Sequence, residues 1–300
     1  MTTNIIELHK DKKGNIPYLT TILKEIPTNT ILCKTLTGLG ATYGEIKAKR
    51  NSIIVEPNVS TIQCKCADPK HANDNLYGVI EKVGVDDIKE YIVNTKDKYY
   101  KFLVTPESFY KVKEAFKELE LSVYNECFML FDESHKLVKD ADYREGIYLP
   151  LDDFFQFKGK ALVSATPVEL SDPRFKDFQK LVIEPQFDFH VNIEIQCTNN
   201  TLERFKQTIN NLQSNCICIF LNSTDTIHAL MEKIGILDES TVFCAPKSVY
   251  KLKQSLNFKN AYSKFDPKLM KKFNFFTGRF NAGMDIELNY KPDLIMLSDV

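Results

Sequence analysis

Short apolar runs alternate along the chain with longer stretches in which apolar positions recur every three or four residues. Thr30–Lys34, Ser52–Glu56, Lys101–Thr105, Cys127–Asp132 and Lys160–Ser164 read as buried strands. Most are followed by a helical pattern, as in Pro106–Glu118, where Phe109, Val112, Ala115 and Phe116 fall on one face. Strands alternating with helices predict βαβ units, and so a mostly parallel sheet with helices on both faces. A second series begins after Pro185, with strands expected at Val191–Cys197, Asn215–Leu221, Thr241–Cys244, Phe273–Thr277 and Asp293–Leu297. Leu181–His190 contains Pro185 and no helical period, so it is the expected linker. The fold class is therefore α/β, in two domains, residues 1–186 and 187–300. No sequence repeat relates the halves, although their rhythm is the same.

A length of 300 residues fits this division, at about 150 residues per domain. The 39 Lys and Arg against 40 Asp and Glu leave a formal charge of −1, which excludes a globally basic nucleic-acid coat and an acidic disordered tail. No apolar run approaches the ~18 residues of a bilayer span, so no membrane partner is expected. The N-terminus lacks a basic start leading into a long apolar run, so the expected location is cytoplasmic. Cys33, Cys127, Cys216, Cys218 and Cys244 lie in apolar runs, where a thiol behaves as a small buried hydrophobe. Cys64 and Cys66 with His71 have a metal-like look, but no second ligand cluster accompanies them.

Charge is uneven in one place. Between Pro246 and Arg279 the basic residues Lys247, Lys251, Lys253, Lys259, Lys264, Lys268, Lys271, Lys272 and Arg279 face a single acid, Asp266. Tyr250, Phe258, Tyr262 and Phe265 are interleaved. This is either a solvated face whose aromatics turn to the core or a surface that tracks nucleic-acid phosphates.

The chemistry concentrates in Cys127–His135, where an apolar strand ends in Asp132-Glu133-Ser134-His135. A carboxylate at the tip of a buried parallel strand sits where open α/β sheets bind ligands. Asp132 there can hold Mg2+ through oxygen, and Glu133 can polarise a water for attack on a γ-phosphate. Upstream, Thr37-Gly38-Leu39-Gly40-Ala41-Thr42 links the first buried strand to a helix, the setting in which backbone N–H groups favour phosphate. Downstream, Ser164-Ala165-Thr166 places two hydroxyls at another strand tip. His135, just after a strand, has the place of a hydrogen-bonded cap.

Asp132-Glu133-Ser134-His135 with Ser164-Ala165-Thr166 resembles motifs II and III of superfamily-two helicases of the DEAD/DEAH-like type, in order and in spacing. Val55-Glu56-Pro57-Asn58 occupies the place of motif Ia and Val104-Thr105-Pro106-Glu107-Ser108 that of motif Ib. Phe220-Leu221-Asn222-Ser223-Thr224 resembles motif IV, and Thr277 through Ala282-Gly283-Met284-Asp285-Ile286 resembles motif V. The resemblance implies two tandem RecA-like domains that clamp ATP and hold DNA or RNA, single-stranded or duplex, across their tops. It implies catalytic roles for Asp132, Glu133 and His135, and coupling through Ser164 and Thr166. It places nucleotide contacts at Gly38, Gly40, Ala41, Thr42, Gly283 and Asp285, with Thr42 and Asp132 on Mg2+. Pro57, Asn58, Thr105, Pro106 and Asn222 would then contact nucleic acid.

Two departures qualify it. The family's loop reads Gly-Lys-Thr, and here it is Gly40-Ala41-Thr42. The lysine that places positive charge on the β- and γ-phosphates is replaced, so nucleotide binding should weaken and hydrolysis should suffer more. Lys34, at the end of the preceding strand, is a candidate substitute cation. No arginine follows Asp285, so the arginine of motif VI is expected to be lacking from these residues. Two functions follow as expectations: a helicase-like, nucleic-acid-dependent NTPase or the core of one, using ATP and Mg2+, or a silent relative that binds nucleic acid or a protein partner without turnover.

Overall fold

The computed structural model describes residues 2–95, 98–139, 146, 149–280 and 288–298. The chain divides into two compact units, Met1–Val191 and Asn192–Val300.

In the first unit, eight strands form one sheet: β1 (Thr3–Leu8), β2 (Thr30–Cys33), β3 (Asn51–Val55), β4 (Leu76–Val79), β5 (Lys101–Val104), β6 (Cys127–Phe131), β7 (Gly159–Ser164) and β8 (Gln179–Pro185). Their spatial order is β1-β8-β2-β7-β6-β3-β5-β4, and every neighbouring pair is parallel. Helix α1 (Ala41–Lys47) follows β2, α2 (Val59–Ala67) follows β3, and α3 (Val85–Asn94) follows β4. Helices α4 (Phe109–Glu118) and α5 (Val123–Glu126) precede β6, and α6 (Lys136–Lys139) and α7 (Leu151–Gln156) precede β7.

Successive strand residues point to opposite faces, and here both faces are buried, which explains the continuous apolar runs. Ile53, Val55, Phe102, Val104, Met129 and Phe131 pack with Ile88 and Ile92 of α3 and with Phe109, Val112, Ala115 and Phe116 of α4. Ile54, Leu103, Leu130, Ala161 and Val163 pack on the other side with Ala41 and Ile46 of α1 and Ile62 of α2. Val55 lies in register with both Val104 and Phe131, and Cys33 with Ser164. The residues just beyond these strands, Lys34, Glu56, Thr105 and Asp132, therefore come to one edge of the sheet.

The second unit has five parallel strands, β9 (Ile217–Phe220), β10 (Ser240–Phe243), β11 (Ala261–Tyr262), β12 (Phe273–Phe276) and β13 (Asp293–Met296), in the order β11-β10-β12-β9-β13. Helices α8 (Thr201–Asn211), α9 (Thr224–Ile234) and α10 (Pro246–Gln254) supply Phe205, Ile209, Ile227, Met231 and Leu252 to its core. Helix α9 starts on Ser223, whose hydroxyl accepts the Thr226 N–H at 3.3 Å, and ends on Gly235 at φ 80°.

The α/β expectation, parallel sheets with helices packed around them, is met. Two expectations are corrected. Much of the proposed linker Leu181–His190 belongs to β8, which lies between β1 and β2 and buries Leu181 and Ile183 in the core. Val191–Cys197 is not a strand, and Val191, Ile193 and Ile195 are exposed. Alternating polarity records a surface fit for pairing, and pairing also needs a neighbour with a free edge. β1 and β4 escaped the sequence reading because they are edge strands with broken apolar runs. No described helix is long and apolar enough to cross a membrane.

Candidate functional site

The site grows from the end of β2. The Lys34 N–H donates to the Ser164 carbonyl at 2.9 Å, extending the β2–β7 ladder by one residue, and the chain then reverses at Thr35, φ 57°. A β-branched residue in the left-handed region costs ~1–3 kcal/mol and persists only where neighbours over-determine it. Here the Thr35 hydroxyl donates to the Ile183 carbonyl at 2.5 Å and the Leu36 N–H to the Lys34 carbonyl at 2.5 Å. Gly38 and Gly40 follow at φ 74° and 77°. At Gly40 a Cβ would also lie 2.9 Å from the Tyr18 ring, so glycine is required there twice over. The helix this loop opens, α1, is only seven residues long.

The first turn of α1 places Thr42 against the end of β6. Its hydroxyl donates to Asp132 Oδ2, while Asp132 Oδ1 accepts the Glu133 N–H at 2.8 Å. Glu133 itself sits at φ 50°, a left-handed turn that lets two adjacent carboxylates share one cation. That cation is Lys34, whose Nζ is 3.0 Å from Glu133 Oε1 and 3.4 Å from Asp132 Oδ1. Lys34 and Asp132 are both buried. Burial alone would lower the Lys34 pKa, but the negative charges of Asp132 and Glu133 outweigh it, and the net shift is upward. Burial would likewise raise the Asp132 pKa, yet the Lys34 charge and the Thr42 hydrogen bond hold it below the usual carboxylate range.

Sequence reasoning missed a third carboxylate. Glu56 follows β3 as Asp132 follows β6, and it is 2% exposed. Among the described residues no group donates a hydrogen bond to its Oε1, and Lys65 of α2 approaches that atom only to 3.8 Å. Burial, with the Asp132 charge second, pushes its pKa up to about 8, against the pull of Lys65 and Lys34. The signal was present in the sequence: a charged residue closing a run otherwise buried on both faces.

His135 Nδ1 lies 2.9 Å from Ser164 Oγ and 3.3 Å from Glu133 Oε2, and the Thr166 N–H donates to Ser164 Oγ at 3.0 Å. Ser134 keeps this turn against β7 through its N–H to the Val163 carbonyl, 2.9 Å. The structure thus brings Lys34, Thr42, Asp132, Glu133, His135, Ser164 and the Thr166 backbone into one hydrogen-bonded group. Ala41 is not part of it: its side chain is buried in the core beneath the loop.

The expected nucleic-acid positions are more dispersed. Pro57 and Pro106 line a shallow cleft with Val55, Asp132 and Glu133. Asn58 caps α2, its carbonyl accepting the Ile62 N–H at 3.4 Å. Thr105 is buried, and its hydroxyl donates to Ser108 Oγ at 3.0 Å. In the second unit, Asn222 Oδ1 accepts the Gly278 N–H at 2.9 Å, which ties the end of β9 to the end of β12. Gly283 and Asp285 lie outside the described residues. In the basic stretch, Lys251 pairs with Asp225 at 2.7 Å, Lys253 lies 5.2 Å over the Tyr262 ring, Phe258 is buried and Tyr250 is exposed. Cys64 and Cys66 are exposed thiols, and His71 is buried against Asp74 at 2.7 Å.

Thr42 and Asp132 offer a hydroxyl and a carboxylate, the hard oxygen donors that magnesium takes together with phosphate oxygens and waters. Among the described residues no group of three or more His, Cys, Asp or Glu side chains is arranged to hold a metal unaided. The residues present therefore fit a magnesium ion that arrives with phosphates.

No protein-family model and no curated protein matches the sequence. Among solved structures, the chain is similar to an S. cerevisiae Dbp5 variant bound to a Gle1 variant and IP6, at 12% identity and a TM-score of 0.54, over 91% of this chain and 72% of that one. It also aligns with a DEAD box protein from Methanococcus jannaschii (11% identity, TM-score 0.40, 90% and 82% of the two chains). A hypothetical ATP-dependent RNA helicase from Sulfolobus tokodaii aligns at 12% identity and a TM-score of 0.37, over 90% and 87%. The first of these carries the fold comparison: the two parallel sheets with their helices match tandem RecA-like domains.

Proposed function

We propose that this chain is a helicase-like, nucleic-acid-dependent NTPase that binds ATP with Mg2+ at the strand ends of its first unit. One observation carries the reading: the Thr42 hydroxyl donates to Asp132 directly beside the glycine loop, with Lys34 bridging Asp132 and Glu133. A purely structural α/β domain has no need for a hydroxyl, two carboxylates and a buried ammonium at one strand tip.

In this reading Gly38 and Gly40 let the loop backbone approach the phosphates, and Thr42 and Asp132 hold the magnesium ion. When bound, that ion offsets charge on the phosphates. Glu133 orients the attacking water, and His135 transmits the state of the site to Ser164 and Thr166. Lys34 is the cation of this site, since the loop carries Ala41 in place of a lysine. Pro57, Asn58, Thr105, Pro106 and Asn222 serve the nucleic-acid side, with the Lys247–Lys272 stretch as an auxiliary phosphate surface. The replacement of the loop lysine by Ala41 favours a second reading, a silent relative that binds nucleic acid or protein without turnover.

Titration of ATP with and without Mg2+, followed by phosphate release with and without single-stranded RNA or DNA, separates the two. Nucleic-acid-stimulated release that Glu133→Gln abolishes supports the NTPase. Nucleotide binding without release supports the silent relative, and absence of binding at millimolar ATP refutes the NTPase and leaves the silent relative. Binding to nucleic acid should weaken as salt rises, and Lys251→Glu with Lys253→Glu and Lys259→Glu tests the auxiliary surface.

A further inference from the structure

Three carboxylates, Glu56, Asp132 and Glu133, share the strand ends with two ammonium groups, Lys34 and Lys65. The sharing is uneven. Asp132 Oδ1 receives both Lys34 and the Glu133 N–H, and Asp132 Oδ2 receives Thr42. Glu56 is as deeply buried, yet its Oε1 accepts no hydrogen bond among the described residues, and Lys65 stops 3.8 Å away. Buried acceptors are rarely left unmet, because leaving water without a new partner is costly. As it stands Glu56 is the least matched carboxyl of the cluster.

The same geometry bears on Asp132. A dication approaching Thr42 and Asp132 meets an ammonium already 3.4 Å from Oδ1 and held there by Glu133 as well. Like charges at such separations in a buried setting repel strongly. Lys34 can leave Asp132 without becoming an unpaired buried charge only if another carboxyl takes it up, and Glu56, the least matched, already feels its charge.

We propose that Lys34 is a resident cation that holds the metal position of the Asp132–Glu133 pair in the nucleotide-free protein and shifts toward Glu56 when metal and nucleotide phosphates arrive together. The proposal rests on the nucleotide reading above and deepens it. Lys34 then differs from the family's loop lysine: it waits on the carboxylates, not on the phosphates. Free divalent metal binds poorly, and metal binding becomes conditional on nucleotide.

Manganese is the probe, because free Mn2+ is counted directly by its magnetic resonance signal. Without nucleotide, Lys34→Met, which keeps the side-chain length and loses the charge, should bind Mn2+ at least tenfold more tightly than the parent. Equal or weaker binding by the variant overturns the proposal. Should the variant not fold, the parent labelled with carbon-13 at the lysine ε position decides. The Lys34 signal should stay in place with Mg2+ alone and move with Mg2+ and ADP. Movement with Mg2+ alone, or none at saturating Mg2+ and ADP, overturns it. Glu56→Gln should weaken Mg2+-ADP binding about tenfold without changing Mn2+ binding in the absence of nucleotide, and unchanged Mg2+-ADP affinity overturns the role given to Glu56. If ADP does not bind the parent at all, the nucleotide reading falls. The Mn2+ comparison needs no nucleotide and still decides whether Lys34 guards the carboxylates.

Discussion

Helix α1 joins two buried charged networks of opposite character. At its last turn, Glu45 accepts Arg50 Nε at 2.9 Å and the Ser52 hydroxyl at 2.6 Å, and Arg50 also lies 3.4 Å over the Phe128 ring. Lys101, the first residue of β5, donates to the Glu45 and Ala48 carbonyls at 2.8 Å each and to Ser52 Oγ at 3.1 Å. The three donors of that ammonium are all matched, and two of them go to carbonyls at the end of the helix. At the first turn, by contrast, Lys34 is shared between two acids while a third, Glu56, has no hydrogen-bond donor on Oε1 among the described residues. Both networks are buried and both contain lysine and carboxylate. What separates them is satisfaction: a complete network anchors, and an incomplete one is poised for a ligand.

The largest expected effect breaks the anchored side. Glu45→Ala removes a carboxylate that is 1% exposed and leaves Arg50 and the Ser52 hydroxyl without their acceptor, and should cost about 3–5 kcal/mol in urea unfolding. Nucleotide affinity of the folded fraction should stay within about threefold, as a stability change does not alter a native site. If affinity collapses and stability does not, the division between anchor and site is wrong.

A second effect uses pH, because the two networks push one group each to about 8 from opposite directions. Burial raises Glu56 from 4.5, so the folded state keeps a proton that the unfolded chain gives up. Its contribution is most favourable below pH 4.5 and is lost as pH rises to about 8, at about 1.4 kcal/mol per unit. Burial lowers Lys101 from 10.5, against the Glu45 charge, so its contribution runs the other way and is lost as pH falls from 10.5 to about 8. Glu56→Gln should flatten the first slope and Lys101→Met the second, as read from unfolding midpoints across pH 5–10.5. Slopes unchanged in either variant would remove that group from the argument.

On the poised side, Thr42→Ala should lower Mg2+-nucleotide affinity about tenfold by calorimetry while costing only about 1 kcal/mol of stability. The smallest effect is expected for Ser164→Ala, which removes the acceptor of the Thr166 N–H and the partner of His135. Nucleotide affinity should hold, stability should fall by about 1 kcal/mol, and stimulation of phosphate release by nucleic acid should drop. Full stimulation in that variant would reduce the His135–Ser164 contact to a structural link.

Much of this was legible before any coordinates. The runs at Thr30, Ser52, Lys101, Cys127 and Lys160 announced the central strands, because a strand buried on both faces has no room for polar alternation. Asp132, Glu133, His135, Ser164 and the glycine loop stood out through adjacency and spacing. The edge strands β1 and β4 did not, since half-exposed strands with glycine or polar residues look like loops in a window of a few residues. Nor did the burial of the Ala41 side chain, as a helix position does not reveal which way its side chain packs.

The sequence by itself determined the alternation of strand and helix, the parallel sheet that follows from it, and which residue types would stand at the strand tips. Those are local consequences of polarity, size and turn chemistry. Only the tertiary structure decided that Lys34 pairs with Asp132 and Glu133, and that Glu56 joins them with one oxygen unmet. It also decided that the similar charges of Glu45, Arg50 and Lys101 form a closed set at the other end of the same helix. Those outcomes depend on strand order and register, which bring residues about a hundred positions apart to hydrogen-bond distance, and on burial, which makes an unmatched oxygen costly.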